Sequence, residues 1–192
     1  MNQNFYDKLN NVIAKDSILI DEPMSRHTTF RVGGPADFFV TPKAKEEVRD
    51  VIRICKEAGM PYYIIGNGSN LLVSDAGYRG VIVQIYKEMN EVKVEGDLVR
   101  HRLEHCFQES RLKRWGQSFQ VLNFASGIPG TIGGACVMNA GAYGGEMKDV
   151  LESVTVLTGE GKIIELGRNE LELGYRTSVI AKKRLYCAWG RC

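Results

Sequence analysis

Two glycine-rich stretches constrain this chain more than anything else in it. The first is Gly66-Asn67-Gly68-Ser69-Asn70; the second runs from Ser126 to Glu146 as SGIPGTIGGACVMNAGAYGGE. Seven of the 21 glycines fall between Gly127 and Gly145. Glycine reaches positive φ without strain and lets another group approach the backbone closely. Clustered with asparagine, it suits main-chain N–H groups laid against a phosphate-bearing ligand. Alone, the short stretch reads equally as a surface turn, because Gly and Asn punctuate turns. The long stretch points further towards a packed ligand loop, because the apolar Ile128, Ile132, Val137 and Met138 interrupt its small residues.

A chain of 192 residues can bury a substantial core as one domain or two small ones. Its net charge of +2, with no block of like charge, gives no reason to expect a nucleic-acid or membrane partner. The opening MNQNFYDKLNNVIAKD lacks the apolar core of a signal peptide, and no segment has the length of a membrane span. A cytoplasmic location is therefore expected. The five cysteines form no C-x-x-C pair, which favours free thiols and no metal site.

Periodicity predicts a short helix over Phe5–Ala14 and strand-like runs within Thr28–Val40 around Gly33-Gly34-Pro35. A helix is expected to start at Thr41-Pro42, with proline at its first position, and to end at Gly59. Pro61–Ile65 reads as a strand parallel to the one before that helix, which puts the short glycine stretch at a strand's carboxyl end. Further strands are expected at Leu71–Ser74, Val81–Ile85 and Glu91–Val99. Ser153–Leu157 and Lys162–Leu166 read as a hairpin around Thr158–Gly161.

Familiar nucleotide and hydrolase motifs are absent. The short stretch lacks the third glycine of G-x-G-x-x-G and no helix pattern follows it; no G-x-x-x-x-G-K-[ST] or G-x-S-x-G occurs. His101 and His105 are four apart without companion ligands, which suits a solvent-exposed pair better than a metal site.

Four blocks in order, TTFRVGGPADFFV, IIGNGSNLLVSDAGYRGVIV, FASGIPGTIGGACVMNAGAYGGEMKDVLESVTVL and ELGYRTSVI, resemble the UDP-N-acetylenolpyruvoylglucosamine reductase family in its shorter, Gram-positive-type branch. The resemblance covers most of residues 25–182. It implies an α+β chain with a two-subdomain FAD-binding fold of the vanillyl-alcohol-oxidase type, divided as residues 1–86 and 87–192. Gly66, Asn67, Gly68, Ser69 and Asn70, with Leu71, would cradle the FAD pyrophosphate. Gly127, Ile128, Pro129, Gly130, Thr131, Gly133, Gly134, Asn139, Ala140, Gly141, Gly144 and Gly145 would wrap the cofactor from the other side. Neither stretch contains lysine or arginine, so backbone N–H groups must meet the diphosphate charge. The side chains of Ser69, Asn70, Thr131 and Asn139 are expected to add donors.

In that family NADPH is the hydride donor, and a UDP-sugar enolpyruvyl ether is reduced to UDP-N-acetylmuramate for peptidoglycan synthesis. Negative charge builds on an enolate next to a carboxylate, which suits a planar arginine fork. By its residue type alone Arg176 reads as a surface ion-pair partner; the resemblance makes it the catalytic arginine. Tyr175 either positions flavin or substrate, or packs. Two other classes stay open: a flavin oxidase of the same fold acting on a sugar or alcohol, and a non-catalytic flavin-binding fragment. Such oxidases often tether FAD through a histidine near the first glycine stretch, and this one has none.

Two stretches depart from the family pattern, Arg100–Val121 and Cys187–Cys192. A shifted reading frame would leave such a pattern, and so, against closely matching flanks, would ordinary divergence; under the frame shift Arg100–Val121 is expected to pack poorly. The family's third, substrate-binding domain, its proton-donor serine and its late glutamate have no counterpart in this sequence; Gly116-Gln117-Ser118-Phe119 is only a superficial likeness. No turnover is expected from these residues alone.

Overall fold

Phe38 and Phe39 are sequence neighbours, and both are buried. Successive side chains of a strand point to opposite faces, so the strand carrying them must be covered on both. A computed structural model of the chain describes residues 3–85, 92–95, 98–102, 124–125, 128–183 and 185–191. It divides into two compact units, Met1–Glu88 and Met89–Cys192.

The first unit contains α1 (Gln3–Asn10), β1 (Ile18–Pro23), β2 (Pro35–Val40), α2 (Lys45–Glu57), β3 (Tyr62–Ile65) and β4 (Tyr78–Gln84). Its sheet has the order β1-β2-β4-β3, with β1 antiparallel to β2 and both β2 and β3 parallel to β4. The parallel arrangement expected across α2 is present, with β4 between the two strands. On β2, Phe38 meets Phe5 of α1 edge to face, with ring centroids 5.1 Å apart. Phe39 joins Met24, Ala36, Ile65 and Ile82 in one core cluster and stacks on His27.

Helix α2 buries Val48, Val51, Ile52, Ile54 and Cys55. Burial pushes the Cys55 thiol up to about 12, which keeps it protonated and inert. The helix ends as expected at Gly59, whose φ of +62° lets Met60 N–H reach Cys55 O and Gly59 N–H reach Lys56 O. Its start differs from the expectation. The first helical residue is Lys45 rather than Pro42, and the Glu47 carboxylate reaches back to accept from Lys43 N–H at 2.6 Å.

Thr28–Val32 forms no strand. The Thr28 hydroxyl donates to Val32 O, Arg31 N–H donates to Thr28 O, and Arg31 stands at φ +54°. Local side-chain-to-backbone bonding thus competes with a ladder and prevails. The antiparallel partner of β2 is instead Ile18–Pro23, which the sequence reading passed over. Leu71–Ser74 is likewise irregular: Val73 packs on the core cluster, and Ser74 O accepts from Gly34 N–H rather than from a strand.

The second unit contains β5 (Val92–Glu95), β6 (Leu98–Arg102), α3 (Ile132–Val137), β7 (Gly141–Ala142), β8 (Gly145–Glu146), α4 (Met147–Val150), β9 (Ser153–Leu157), β10 (Ile163–Gly167), α5 (Val179–Lys182) and β11 (Tyr186–Arg191). Among the described residues its main sheet runs β10-β9-β11-β6-β5, and all its neighbours are antiparallel. The β9–β10 hairpin matches the expectation. Within the expected strand Glu91–Val99, Val92–Glu95 and Leu98–Val99 belong to two antiparallel strands, not one. The tail that departs from the family pattern supplies most of β11, the central strand, because backbone pairing asks only for an extended chain. Residues 103–121 lie outside the described residues, and with them the expectation of poor packing.

The long glycine stretch is no open loop. It holds α3, the β7–β8 ribbon and, in Glu146, the cap of α4, pinned because Ile132, Ala135, Cys136 and Ala140 are buried together with Met147, Leu151, Leu171 and Ile180. Among the described residues, no helix is long and apolar enough to cross a membrane.

Candidate functional site

The first glycine stretch leaves the carboxyl end of β3. Two of its carbonyls are bonded within the protein. Gly66 O accepts from Gln84 Nε2 at 3.1 Å, and Gly68 O accepts from Thr29 N–H at 3.2 Å. Asn67 Oδ1 accepts from Ser69 N–H at 3.3 Å, the bond of an Asx turn. Among the described residues, the N–H groups of Gly66, Asn67 and Gly68 donate no hydrogen bond. The stretch therefore turns its acceptors inward and keeps donors in hand, the polarity an anion needs.

Gly68 has no room for a side chain. It is buried, at φ +68°, and a Cβ there would lie 2.0 Å from His27 O. His27 is itself fixed by its stack on Phe39 and by Glu22 Oε1, 3.0 Å from Nε2. The connection between β1 and β2 thus serves as the backing of the glycine stretch.

In the second unit, Tyr175 and Arg176 form the tip of a two-residue turn. Gly174 and Thr177 exchange backbone bonds of 3.1 and 3.3 Å beneath it. Arg176 stands at φ +53°, and both tip side chains are exposed. Asn139, 3% exposed and at φ +46°, bonds two separate segments. Its Nδ2 donates to Glu146 Oε2 at 2.8 Å and to Gly174 O at 3.1 Å, and its Oδ1 accepts from Lys148 N–H at 2.9 Å. The Ser178 hydroxyl donates to Val137 O at 2.5 Å and also accepts from Ala181 N–H as the cap of α5.

The Lys148 ammonium and the Asn139 amide, both bonded to the Glu146 carboxylate, hold it below the usual carboxylate range; the Arg176 charge acts in the same direction. Lys148 is raised in return, first by its bond to Glu146. A carboxyl lowered by folding contributes stability above its unfolded pKa and loses it as pH falls through the folded value. These links are therefore expected to persist from neutral pH through the ordinary carboxylate range and to open only in stronger acid. Carboxyl-carbon NMR titration checks this: Glu146 should titrate below a free glutamate, and Lys148→Ala should move it back up.

Of the residues singled out from the sequence, Gly66–Leu71 fall in one described turn, with Leu71 packed on the core cluster. Gly127 lies outside the described residues. Gly130 precedes the α3 cap, Thr131, whose hydroxyl oxygen accepts from Gly134 N–H. Ile128 packs on the core while Pro129 is exposed. Gly133 and Gly134 lie in α3; across the β7–β8 ribbon Gly141 pairs with Glu146 and Gly145 with Ala142, and Gly144 is in its turn. Ala140 is buried. The donors expected from the Asn139 amide are already in use inside the protein, so that side chain does not face outward as a ligand group. Missed from sequence were His27, Thr29 and Gln84 behind the first stretch, and Glu146 and Ser178 around the Arg176 turn. Glu146 follows the quoted glycines directly; the others carried no local signal.

A family model described as an FAD binding domain matches residues 36–167, more than half of the chain. UDP-N-acetylenolpyruvoylglucosamine reductase of Clostridioides difficile (strain 630) is 44% identical over 181 residues, covering 94% of this chain and 60% of its own length. The protein of the same name from Alkaliphilus metalliredigens is 45% identical over 183 residues, with the same coverage. The chain thus spans about 60% of the length of the curated relatives it matches. The crystal structure of UDP-N-acetylenolpyruvylglucosamine reductase from Thermus caldophilus superposes with a TM-score of 0.71 at 29% identity, over 90% of this chain and 59% of that one. p-Cresol methylhydroxylase, at 17% identity and a TM-score of 0.67, shares the fold alone. The fold is the two-part α+β arrangement of vanillyl-alcohol-oxidase type. A glycine turn that keeps donors for an anion lies within the matched span, and on that match the chain belongs to the FAD binding domain family.

Proposed function

We propose that these 192 residues are the flavin-holding part of a UDP-N-acetylenolpyruvoylglucosamine reductase. The observation that carries the reading is the Gly66–Asn70 turn, whose Gly66 and Gly68 carbonyls are bonded inward while the N–H groups of Gly66, Asn67 and Gly68 donate no hydrogen bond among the described residues. A diphosphate fits such a turn: it takes several charge-assisted bonds from neutral donors, each worth about 1.5–3 kcal/mol. Gly68 holds the turn in place, since the space a Cβ would take is filled by His27 O.

Bound FAD would supply hydride chemistry, with NADPH as the source and the enolpyruvyl ether of a UDP-sugar as the acceptor. This chain's residues bind and orient. Gly66, Asn67 and Gly68 hold the pyrophosphate by main-chain N–H groups, with Ser69 and Asn70 beside them. In the second unit, Gly130, Thr131 and the glycines of the β7–β8 ribbon are the candidates for a cofactor contact. Arg176, exposed at its turn tip, offers a guanidinium to the carboxylate of the enolpyruvyl group and to the charge that builds beside it. Tyr175 lines the same tip.

No serine or glutamate here matches those the resemblance assigns to proton transfer, so the 192 residues by themselves are expected to hold FAD without turnover. Purification with added FAD, followed by the flavin absorbance spectrum and an assay for UDP-N-acetylmuramate, tests both statements. A yellow protein with one FAD per chain and no product is expected. A colourless protein after FAD loading would overturn the cofactor assignment, and product formed by this chain alone would overturn the expected lack of turnover.

A further inference from the structure

We infer that Asn139 is a positioning residue for Arg176, its buried amide fixing the turn on which that arginine stands; the functional weight of this rests on the reading of Arg176 given above. The turn tip has no anchor of its own. Tyr175 is 90% exposed and Arg176 is exposed, so no apolar contact holds the tip down. What holds it are its legs. The leg before the tip is tied through Gly174 O to Asn139 Nδ2, and the leg after it through the Ser178 hydroxyl to Val137 O. Both ties end on one short segment, Val137–Asn139, which leads from α3 towards the β7–β8 ribbon. The Asn139 amide then joins that segment to Glu146 and Lys148.

The residue type is demanding. At φ +46°, glycine, asparagine and aspartate are the least strained residues. Only asparagine offers two donors and an acceptor at once. Glycine would keep the backbone and remove all three bonds. Aspartate would keep the acceptor for Lys148 N–H but present oxygens to Gly174 O and to the Glu146 carboxylate. The charged groups around the amide are Glu146 and Lys148, with Asp149 and Arg176 beyond them.

The test uses the 192-residue chain without flavin, so its outcome is independent of cofactor binding. Amide hydrogen exchange is followed at Gly174 and Thr177, with the β9–β10 amides as internal reference, in wild type, Asn139→Gly and Asn139→Asp. Protection at Gly174 and Thr177 should fall about tenfold or more in both variants while the reference amides stay within about twofold. Trypsin should cut after Arg176 correspondingly faster. In Asn139→Asp, protection relative to intrinsic exchange should return as pH drops from about 7 to 5, because a carboxyl protonated beside Glu146 regains a donor. Unchanged protection in Asn139→Gly would overturn the inference. So would a uniform loss across the whole unit, or an Asn139→Asp defect indifferent to pH, either of which marks general packing. If the latch behaves as expected but Arg176→Lys leaves catalysis by a complete reductase containing this chain unchanged, the functional reading fails and the latch stands.

Discussion

Gly68→Ala is expected to weaken flavin binding severely, whereas Gly59→Ala, at nearly the same backbone angle, should leave it intact. Both glycines are left-handed, at φ +68° and +62°, and alanine there costs roughly 1–2 kcal/mol at either position. Their surroundings separate them. A Cβ at Gly59 meets nothing within 4 Å; one at Gly68 meets His27 O at 2.0 Å, with Thr28 Cα at 3.2 Å behind it. These are backbone atoms and cannot swing aside like the end of a side chain. His27 is also held by Phe39, by Glu22 and by the bond from its N–H to Met24 O. The glycine turn must therefore move, which breaks the Thr29–Gly68 bond and disperses the donors at Gly66–Gly68. FAD titration should show affinity down by at least about 100-fold, or about 2.7 kcal/mol, for Gly68→Ala. Gly59→Ala should bind as wild type with a modestly lower melting temperature. Equal affinities in the two variants would mean that the phosphates do not rest on this turn.

Gly34→Ala or Gly77→Ala is expected to unfold the first unit. A Cβ on Gly34 would lie 1.9 Å from Asp75 O, and one on Gly77, at φ +76°, 1.9 Å from Pro35 O. Two segments some forty residues apart thus cross backbone on backbone. Ser74 O accepts from both Gly34 N–H and Gly77 N–H at 2.9 Å, and the Arg79 guanidinium bonds Pro35 O at 2.6 Å and pairs with Asp37 at 2.7 Å. A methyl group on either side forces the crossing apart and exposes the Met24–Phe39–Ile82 core beneath. The loss should be comparable to a domain's whole stability of about 5–15 kcal/mol. The double variant should be no worse than either single one, because one wedge already separates the segments. Thermal unfolding followed by circular dichroism reads this out; a cooperative melt near the wild-type temperature in either single variant would show that the crossing relaxes freely.

Much of the local structure was legible in the sequence, and the reasons are local. The apolar spacing of Val48, Val51, Ile52 and Cys55 and the stop at Gly59 depend on neighbours a turn away. So does the β9–β10 hairpin around Gly159-Glu160-Gly161. Where the reading failed, distant partners intervened. Thr28–Val32 carries β-branched and aromatic residues yet bonds locally and to Gly68. Asn139 looked like a ligand donor, and its amide is occupied by Gly174, thirty-five residues away.

The sequence by itself determined that glycine and asparagine would gather at two places, where backbone N–H groups can meet an anion without help from lysine or arginine. It also determined the order of helices and strands that brings the first of those places to a strand's carboxyl end. Only the tertiary structure decided which of those groups face outward and which are consumed within. Residue type sets what a side chain or a φ angle permits, whereas a hydrogen bond or a close backbone approach exists only once two remote segments have been packed together.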